Sequence, residues 1–152
     1  MYLSLYQPDI PQNAGSLMRL GACLGVAIDI IEPCGFLFTD RALRRAGMDY
    51  LDFADVTRHR SWDSFRDAQR ARGSRLLVLT AKAALAYTEF VFAPGDTLLV
   101  GRESAGAPQE VHDAADARLR IPLKAGLRSL NVVQAGAMAL GEALRQTKGF
   151  PA

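Results

Sequence analysis

Four polar side chains, Lys124, Arg128, Ser129 and Asn131, crowd into one stretch that begins at Arg120 and reads Arg-Ile-Pro-Leu-Lys-Ala-Gly-Leu-Arg-Ser-Leu-Asn. A loop can aim such groups at a ligand once rigid elements fix its ends. Two other stretches share this character: residues 7–16 hold Asn13 and lead to Arg19, and residues 101–108 hold Glu103 between Gly101 and Gly106. Together they offer a guanidinium for an anionic or polar substrate, Glu103 as the one carboxylate of the 101–108 loop, and amide and hydroxyl groups that both donate and accept. Each also has a plainer account. Arg19 beside Met18 and Leu20 could be a solvated arginine, Glu103 a solvated glutamate on a tight turn, and residues 120–144 a loop followed by a core helix.

Several familiar chemistries are excluded. Gly101 and Gly106 have the spacing that opens a P-loop, but Ala107-Pro108 stands where the lysine and hydroxyl of that motif belong. No Gly-x-Gly-x-x-Gly follows the first strand. Cys23 and Cys34 form no Cys-x-x-Cys, and His59 and His112 are far apart, so no metal-ligand set assembles from the sequence.

The elements that must position these groups follow from pattern. Residues 2–6 are apolar and closed by Gln7-Pro8, which predicts a first strand. Leu17, Leu20 and Leu24 recur at helical spacing, with Asn13 or Ser16 to cap the helix and Gly25 to end it. Residues 26–31 read as a second strand. Thr39 or Asp40 caps a short basic helix carrying Arg41, Arg44 and Arg45 and stopped by Gly47, after which residues 48–60 show no clear pattern. Ser61 caps a third helix, with Trp62, Phe65, Ala68 and Gln69 toward the core and Gly73 at its end.

Residues 75–80 and 97–100 are continuous apolar runs, the pattern of strands covered on both faces. Residues 83–93 are ambiguous, with 90–92 suited to a short strand, and Pro94-Gly95-Asp96 is a turn. Pro108 suits the first turn of a helix running to about Ala115, and residues 119–121 form the last strand. From Val132 to Leu144 only Gln134 and Glu142 are strongly polar, which predicts a buried helix whose small residues admit another backbone closely. Strands alternating with helices imply an α/β fold, a largely parallel sheet with flanking helices, in a single domain over 1–152. The loops at 7–16, 101–108 and 122–130 leave strand carboxyl ends, where open α/β sheets bind ligands.

The 152 residues suffice to bury a core without staples. Net charge is only +2, yet with three lysines (Lys82, Lys124 and Lys148) among eighteen basic residues, the other fifteen are arginine. Arginine's planar fork suits phosphates and base edges, although genomic base composition accounts for such an excess equally well. No apolar run approaches a membrane-spanning length, and the N-terminus lacks a basic leader followed by an apolar stretch, so the expected location is cytoplasmic with no membrane contact. Arg41, Arg44 and Arg45 are candidate RNA-phosphate contacts, because a capped helix presents them together.

Taken in order, Pro11-Gln12-Asn13-Ala14-Gly15 with Arg19, Ile31-Glu32-Pro33 with Gly35-Phe36, Leu43-Arg44-Arg45-Ala46-Gly47-Met48-Asp49-Tyr50, residues 101–108 with Glu103, and Ile121-Pro122 with Arg128-Ser129-Leu130-Asn131 resemble the SPOUT superfamily of RNA methyltransferases. Within it the chain is similar to the tRNA wobble-position 2′-O-methyltransferases, over nearly its whole length. The resemblance implies a C-terminal deep trefoil knot, an exception to the rule that chains stay unknotted. It implies S-adenosylmethionine as cofactor, with S-adenosylhomocysteine as product and no metal. The implied partners are a tRNA, bound at its anticodon stem-loop, and a second copy of the chain, in a homodimer whose active sites draw on both subunits.

By the same resemblance Leu79, Gly101, Gly106, Ile121, Ser129 and Leu130 hold the cofactor, while Arg19, Asn13, Glu103, Ser129 and Asn131 work at the ribose hydroxyl. A guanidinium stays protonated, so Arg19 suits an oxyanion or phosphate better than the role of a base. Two departures stand out. Arg102-Glu103-Ser104-Ala105 occupies a loop where wobble-specific relatives often carry Pro-Glu-Thr-Arg, and Val132-Val133-Gln134 replaces a more usual Leu-Ser-Asn. Two competing readings are the same chemistry on another tRNA or ribosomal RNA nucleotide, and a non-catalytic RNA- or nucleotide-binding module. The intact Asn13, Arg19, Glu103, Ser129 and Asn131 weigh against the second.

Overall fold

Short runs of branched apolar residues become strands here because both of their faces are covered. In the computed structural model, which describes residues 1–45 and 50–152, β1 (Tyr2–Tyr6), β2 (Ala27–Ile31), β3 (Val56–His59), β4 (Leu76–Leu79), β5 (Leu85–Ala86), β6 (Thr97–Val100) and β7 (Ala117–Arg120) form one sheet. Its order is β3-β2-β1-β6-β4-β7-β5, and every pairing is parallel. Among the described residues five α-helices flank it: α1 (Pro11–Leu24), α2 (Asp40–Arg45), α3 (Trp62–Ala71), α4 (Gln109–Ala114) and α5 (Val132–Thr147).

Period-two alternation sends successive strand residues to opposite cores. Leu3, Leu5, Ile28, Ile30, Leu77, Leu98 and Val100 join Leu17 and Met18 of α1 and Leu140 and Leu144 of α5 in one cluster. Ile31, Leu76, Val78 and Leu99 join Phe65 of α3 and Val111 of α4 in the other.

Several boundaries differ from expectation for identifiable reasons. Helix α1 starts earlier than an Asn13 or Ser16 cap would allow, because Pro11 occupies its first turn and Ile10, without a side-chain bond, is the cap. Gly25 ends it in the left-handed region, at φ 65°. Thr39 Oγ1 accepts from the Ala42 N–H at 3.2 Å, so the expected cap of α2 is present, while the stop at Gly47 lies outside the described residues. Strand β3 emerges from the stretch that showed no pattern: it is an edge strand, and Val-Thr-Arg-His carries too few apolar residues to announce itself.

Residues 90–92 form no strand. Phe90 and Phe92 instead pack edge to face at 5.0 Å between centroids, with Phe92 buried. Pro108 caps α4 rather than entering its first turn. Helix α5 is buried along one face, through Gly136, Ala139, Leu140, Ala143 and Leu144, and not all round: Met138 is 43% exposed. A Cβ at Gly136 would meet the Leu17 side chain at 3.2 Å, so this glycine sets the approach of α5 to α1.

Behind the sheet a buried polar cluster ties three strands to α3. Asp29 accepts from Ser4 Oγ at 3.2 Å and from both terminal nitrogens of Arg72 at 3.0 and 2.9 Å, and pairs with His59 Nε2 at 2.6 Å. Burying a carboxylate is costly unless it is paired and hydrogen-bonded, and Asp29 is both.

Candidate active site

The chain leaves β1 toward β2 and β3 on one side, while β6 belongs to the other half of the sheet, so the loops after β1 and β6 part at a topological switch point. Above it, and above the neighbouring β4 and β7, lies a cavity of about 410 Å³.

Local chain geometry shapes the cavity's wall. Gly106, at φ 68°, folds the loop back so that Arg102 and Gly106 exchange backbone hydrogen bonds at 3.2 and 2.9 Å. A Cβ at Gly101 would stand 2.5 Å from Ala107 N and from the Gly106 carbonyl carbon, so only glycine fits there. The Gly-x4-Gly spacing that failed as a P-loop thus has a different cause, a tight backbone return.

Asn13, Leu79, Gly101, Glu103, Gly106, Ile121, Ser129, Leu130 and Asn131 all line this cavity. Three of them are joined. Glu103 Oε1 accepts from Asn13 Nδ2 at 3.2 Å, Glu103 Oε2 accepts from the Asp9 N–H at 2.8 Å, and Asn13 Oδ1 accepts from Asn131 Nδ2 at 3.3 Å. Asn131 also caps α5, its Oδ1 accepting from the Val133 N–H at 2.8 Å. The loop is braced again where Asp9 accepts from the Ser104 backbone N–H at 3.1 Å and from the Ser104 hydroxyl. The Ser104 hydroxyl, then its N–H, hold the Asp9 carboxyl below the usual carboxylate range.

The cavity is therefore divided. Leu79 and Ile121, at the carboxyl ends of β4 and β7, and Leu130 make an apolar end suited to a flat ring. Glu103, Asn13 and Asn131 make a polar end. Among the described residues no three His, Cys, Asp or Glu lie together as a metal site.

Arg19 is not among the residues lining the cavity of its own chain. It is exposed, with its guanidinium 4.5 Å from the centre of the Tyr50 ring. Arg41, Arg44 and Arg45 are exposed on α2, and Arg44 lies 3.5 Å from Asp52 in an exposed pair. Sequence reasoning passed over Arg102, Lys82 and His112, which also line the cavity. Arg102 was legible as a cation inside the Gly101–Gly106 frame, and Lys82 follows the carboxyl end of β4. His112 carried no such signal, and its Nδ1 is buried without a hydrogen-bond partner among the described residues.

The SpoU rRNA Methylase family model matches residues 1–141. A tRNA (cytidine(34)-2′-O)-methyltransferase of Beijerinckia indica is 60% identical over 144 residues, covering 95% of this chain and 90% of that protein. A solved structure from work on the 2-OH methylation of C/U34 on tRNA superposes with a TM-score of 0.89 at 42% identity, covering 95% of this chain and 94% of the other. The SpoU methyltransferase of Streptomyces viridochromogenes in complex with the cofactor AdoMet gives a TM-score of 0.85 at 25% identity, over 96% of this chain and 60% of that one. Because that model matches 141 of the 152 residues, the chain belongs to the SpoU rRNA methylase family.

Proposed function

We propose that this chain is an S-adenosylmethionine-dependent methyltransferase acting on the ribose 2′-hydroxyl of tRNA nucleotide 34, a cytidine or uridine, as the names of its relatives describe for those proteins. The observation that carries the reading is the Glu103–Asn13–Asn131 chain of hydrogen bonds at one end of a cavity whose other end is apolar.

The residues present fit the cofactor. Leu79, Ile121 and Leu130 would flank its adenosyl part, and Gly101, Gly106 and Ser129 would hold the remainder where no side chain obstructs. When bound, the cofactor supplies an electrophilic methyl on a positively charged sulfur. The chain's task is positional and electrostatic: the ribose oxygen would be held in line with the methyl and opposite the sulfur, losing its proton as the carbon–oxygen bond forms and the carbon–sulfur bond breaks to leave a neutral thioether. Asn13 and Asn131 would orient the ribose. Glu103, each oxygen already accepting one bond and keeping a second lone pair, would receive or steer the proton. A guanidinium from Arg19 would stabilise the developing oxyanion.

Because Arg19 stands outside its own chain's cavity, the reading includes a homodimer in which the partner subunit supplies this arginine. Met138 on the exposed side of α5 and the 37% exposed Leu130 are apolar surface that such a partner would cover. The reading further includes a deep trefoil knot in which the C-terminal segment threads through an earlier loop, phosphate contacts from Arg41, Arg44 and Arg45, one domain over 1–152, and a cytoplasmic location. No helix among the described residues is long and apolar enough to cross a membrane.

The test is transfer of a labelled methyl group from S-adenosylmethionine to total tRNA, followed by mapping of the modified nucleotide. Label on the 2′-oxygen of nucleotide 34 is expected. Label on another tRNA nucleotide, or on ribosomal RNA offered in parallel, would move the substrate, and no label on any RNA with cofactor binding intact would leave a binding module.

A further inference from the structure

We propose that Arg102 holds a phosphate of the bound RNA beside the methylated nucleotide. The proposal rests on the reading of the chain as an RNA methyltransferase.

Among the described residues two cationic side chains, Lys82 and Arg102, line the cavity, against one carboxylate, Glu103. Two carboxylates near Arg102 are already engaged: Glu103 by the Asp9 N–H and Asn13, and Asp9 by Ser104. Among the described residues Arg102 forms no ion pair. Its hydrogen bond goes to a neutral acceptor, Gln7 Oε1, and its guanidinium stands 5.7 Å from the centre of the Tyr6 ring. A guanidinium has five N–H donors, so this arrangement fixes the plane and leaves a fork of donors for a bidentate anion.

Gln7 is itself built for the purpose. Its backbone is left-handed, at φ 44°, in a residue other than glycine, and its N–H donates to the Ile31 carbonyl at 2.8 Å. Such strain persists only where the surroundings impose it, and the side-chain amide is held too, its Nε2 donating to the Glu32 carbonyl at 3.5 Å while its Oε1 accepts from Arg102.

Two anions suit this fork, an RNA phosphate and the carboxylate of the cofactor, and the direction of Arg102, away from the adenosyl end of the cavity, favours the first. Arg102 is drawn toward Gln7 and Tyr6 at the carboxyl end of β1. The apolar end of the cavity sits over β4 and β7, two and three strands away across the sheet order. Glu103, Asn13 and Asn131 form the polar end of the cavity that Arg102 also lines, so a ribose delivered to them would bring its own phosphates toward Arg102.

The experiment compares the full-length wild type, Arg102→Ala and Arg102→Lys. It measures tRNA affinity over a range of salt, cofactor affinity by calorimetry, and kcat and KM for transfer. For Arg102→Ala, tRNA affinity should fall roughly tenfold, with the log–log salt slope shallower by about one contact and cofactor affinity unchanged. Arg102→Lys should keep the slope and recover part of the affinity, because charge survives while the fork does not. Weakened cofactor binding with intact tRNA affinity overturns the proposal, as does an unchanged tRNA affinity and slope. A wild type that binds tRNA but transfers no methyl refutes the assigned reaction, while the affinity comparison still decides the role of Arg102.

Discussion

Asn131 and Asn13 stand 118 positions apart in the chain, yet Asn131 Nδ2 donates to Asn13 Oδ1 at 3.3 Å. Through Glu103 on one side and the cap of α5 on the other, this contact makes the first turn of α1, the loop after β6 and the start of α5 one hydrogen-bonded unit. Glu103→Gln should expose that coupling. The new amide would set an NH2 group against either the Asp9 N–H or the Asn13 NH2, both donors. We expect kcat for methyl transfer to fall roughly 10²–10³-fold with cofactor affinity preserved, the range typical of losing one group at a reacting centre. A change confined to KM would remove Glu103 from that centre.

Gly101→Ala should act on the cofactor instead. The added Cβ would collide with backbone at 2.5 Å, and backbone cannot swing aside as a flexible side chain can. Displacing the 101–107 return should weaken cofactor binding at least about tenfold and cost about 1–3 kcal/mol of stability, as overpacking does. Calorimetry and thermal unfolding measure the two effects, and wild-type cofactor affinity would mean that the loop does not wall the binding cavity.

Asp29→Ala tests the fold apart from the site. It would leave Arg72, His59 and Ser4 without their shared acceptor in a buried place. Removing one partner of a buried ion pair costs about 3–5 kcal/mol, so urea unfolding should show a midpoint far below the wild type. Cofactor affinity of the folded fraction should be unchanged, since Asp29 lies below the carboxyl end of β2, away from the cavity.

Much of this architecture was legible because it rests on local signals. The buried strands β4 and β6 announced themselves as unbroken apolar runs, and Gly25, Thr39 and Ser61 marked helix ends that the structure contains. Edge strand β3 was hidden because its outward positions are polar. Nine of the residues that line the cavity were named from the family pattern, while the hydrogen bonds that join Asn13, Glu103 and Asn131 span about ninety residues or more and leave no trace in spacing. The Gln7–Arg102 contact is equally non-local, at a separation of 95 residues, and depends on a backbone angle that no residue type announces.

Cys34 should be slow toward thiol reagents. Burial, reinforced by Glu32, pushes its pKa up to about 11, so the reactive thiolate is scarce near neutral pH. Alkylation followed by mass spectrometry should modify the exposed Cys23 first. The Cys34 rate should then climb about tenfold per pH unit toward pH 11. The linkage has the same sign: the folded thiol binds its proton more tightly than the unfolded one, whose pKa is about 8.5. Its contribution to stability is therefore complete below about pH 8.5 and is lost as pH rises through about 11. Rapid alkylation of Cys34 at pH 7 in the folded protein would contradict this.

Mixed dimers would decide whether Arg19 serves the partner's cavity. Arg19 lies outside the cavity of its own chain and Glu103 lines it, so a shared site would take the two residues from different subunits. Arg19→Ala and Glu103→Gln should each be nearly inactive alone, with Arg19→Ala keeping wild-type cofactor affinity. Co-expressed in equal amounts, half of the dimers would be mixed. Each mixed dimer would hold one site with Glu103 from one chain and Arg19 from the other, so about a quarter of wild-type activity should return. Two affinity tags, purified in series, isolate the mixed species and raise the expected value to about half. If the isolated mixed dimer is as inactive as its parents, Arg19 acts on its own chain and the shared-site reading is wrong.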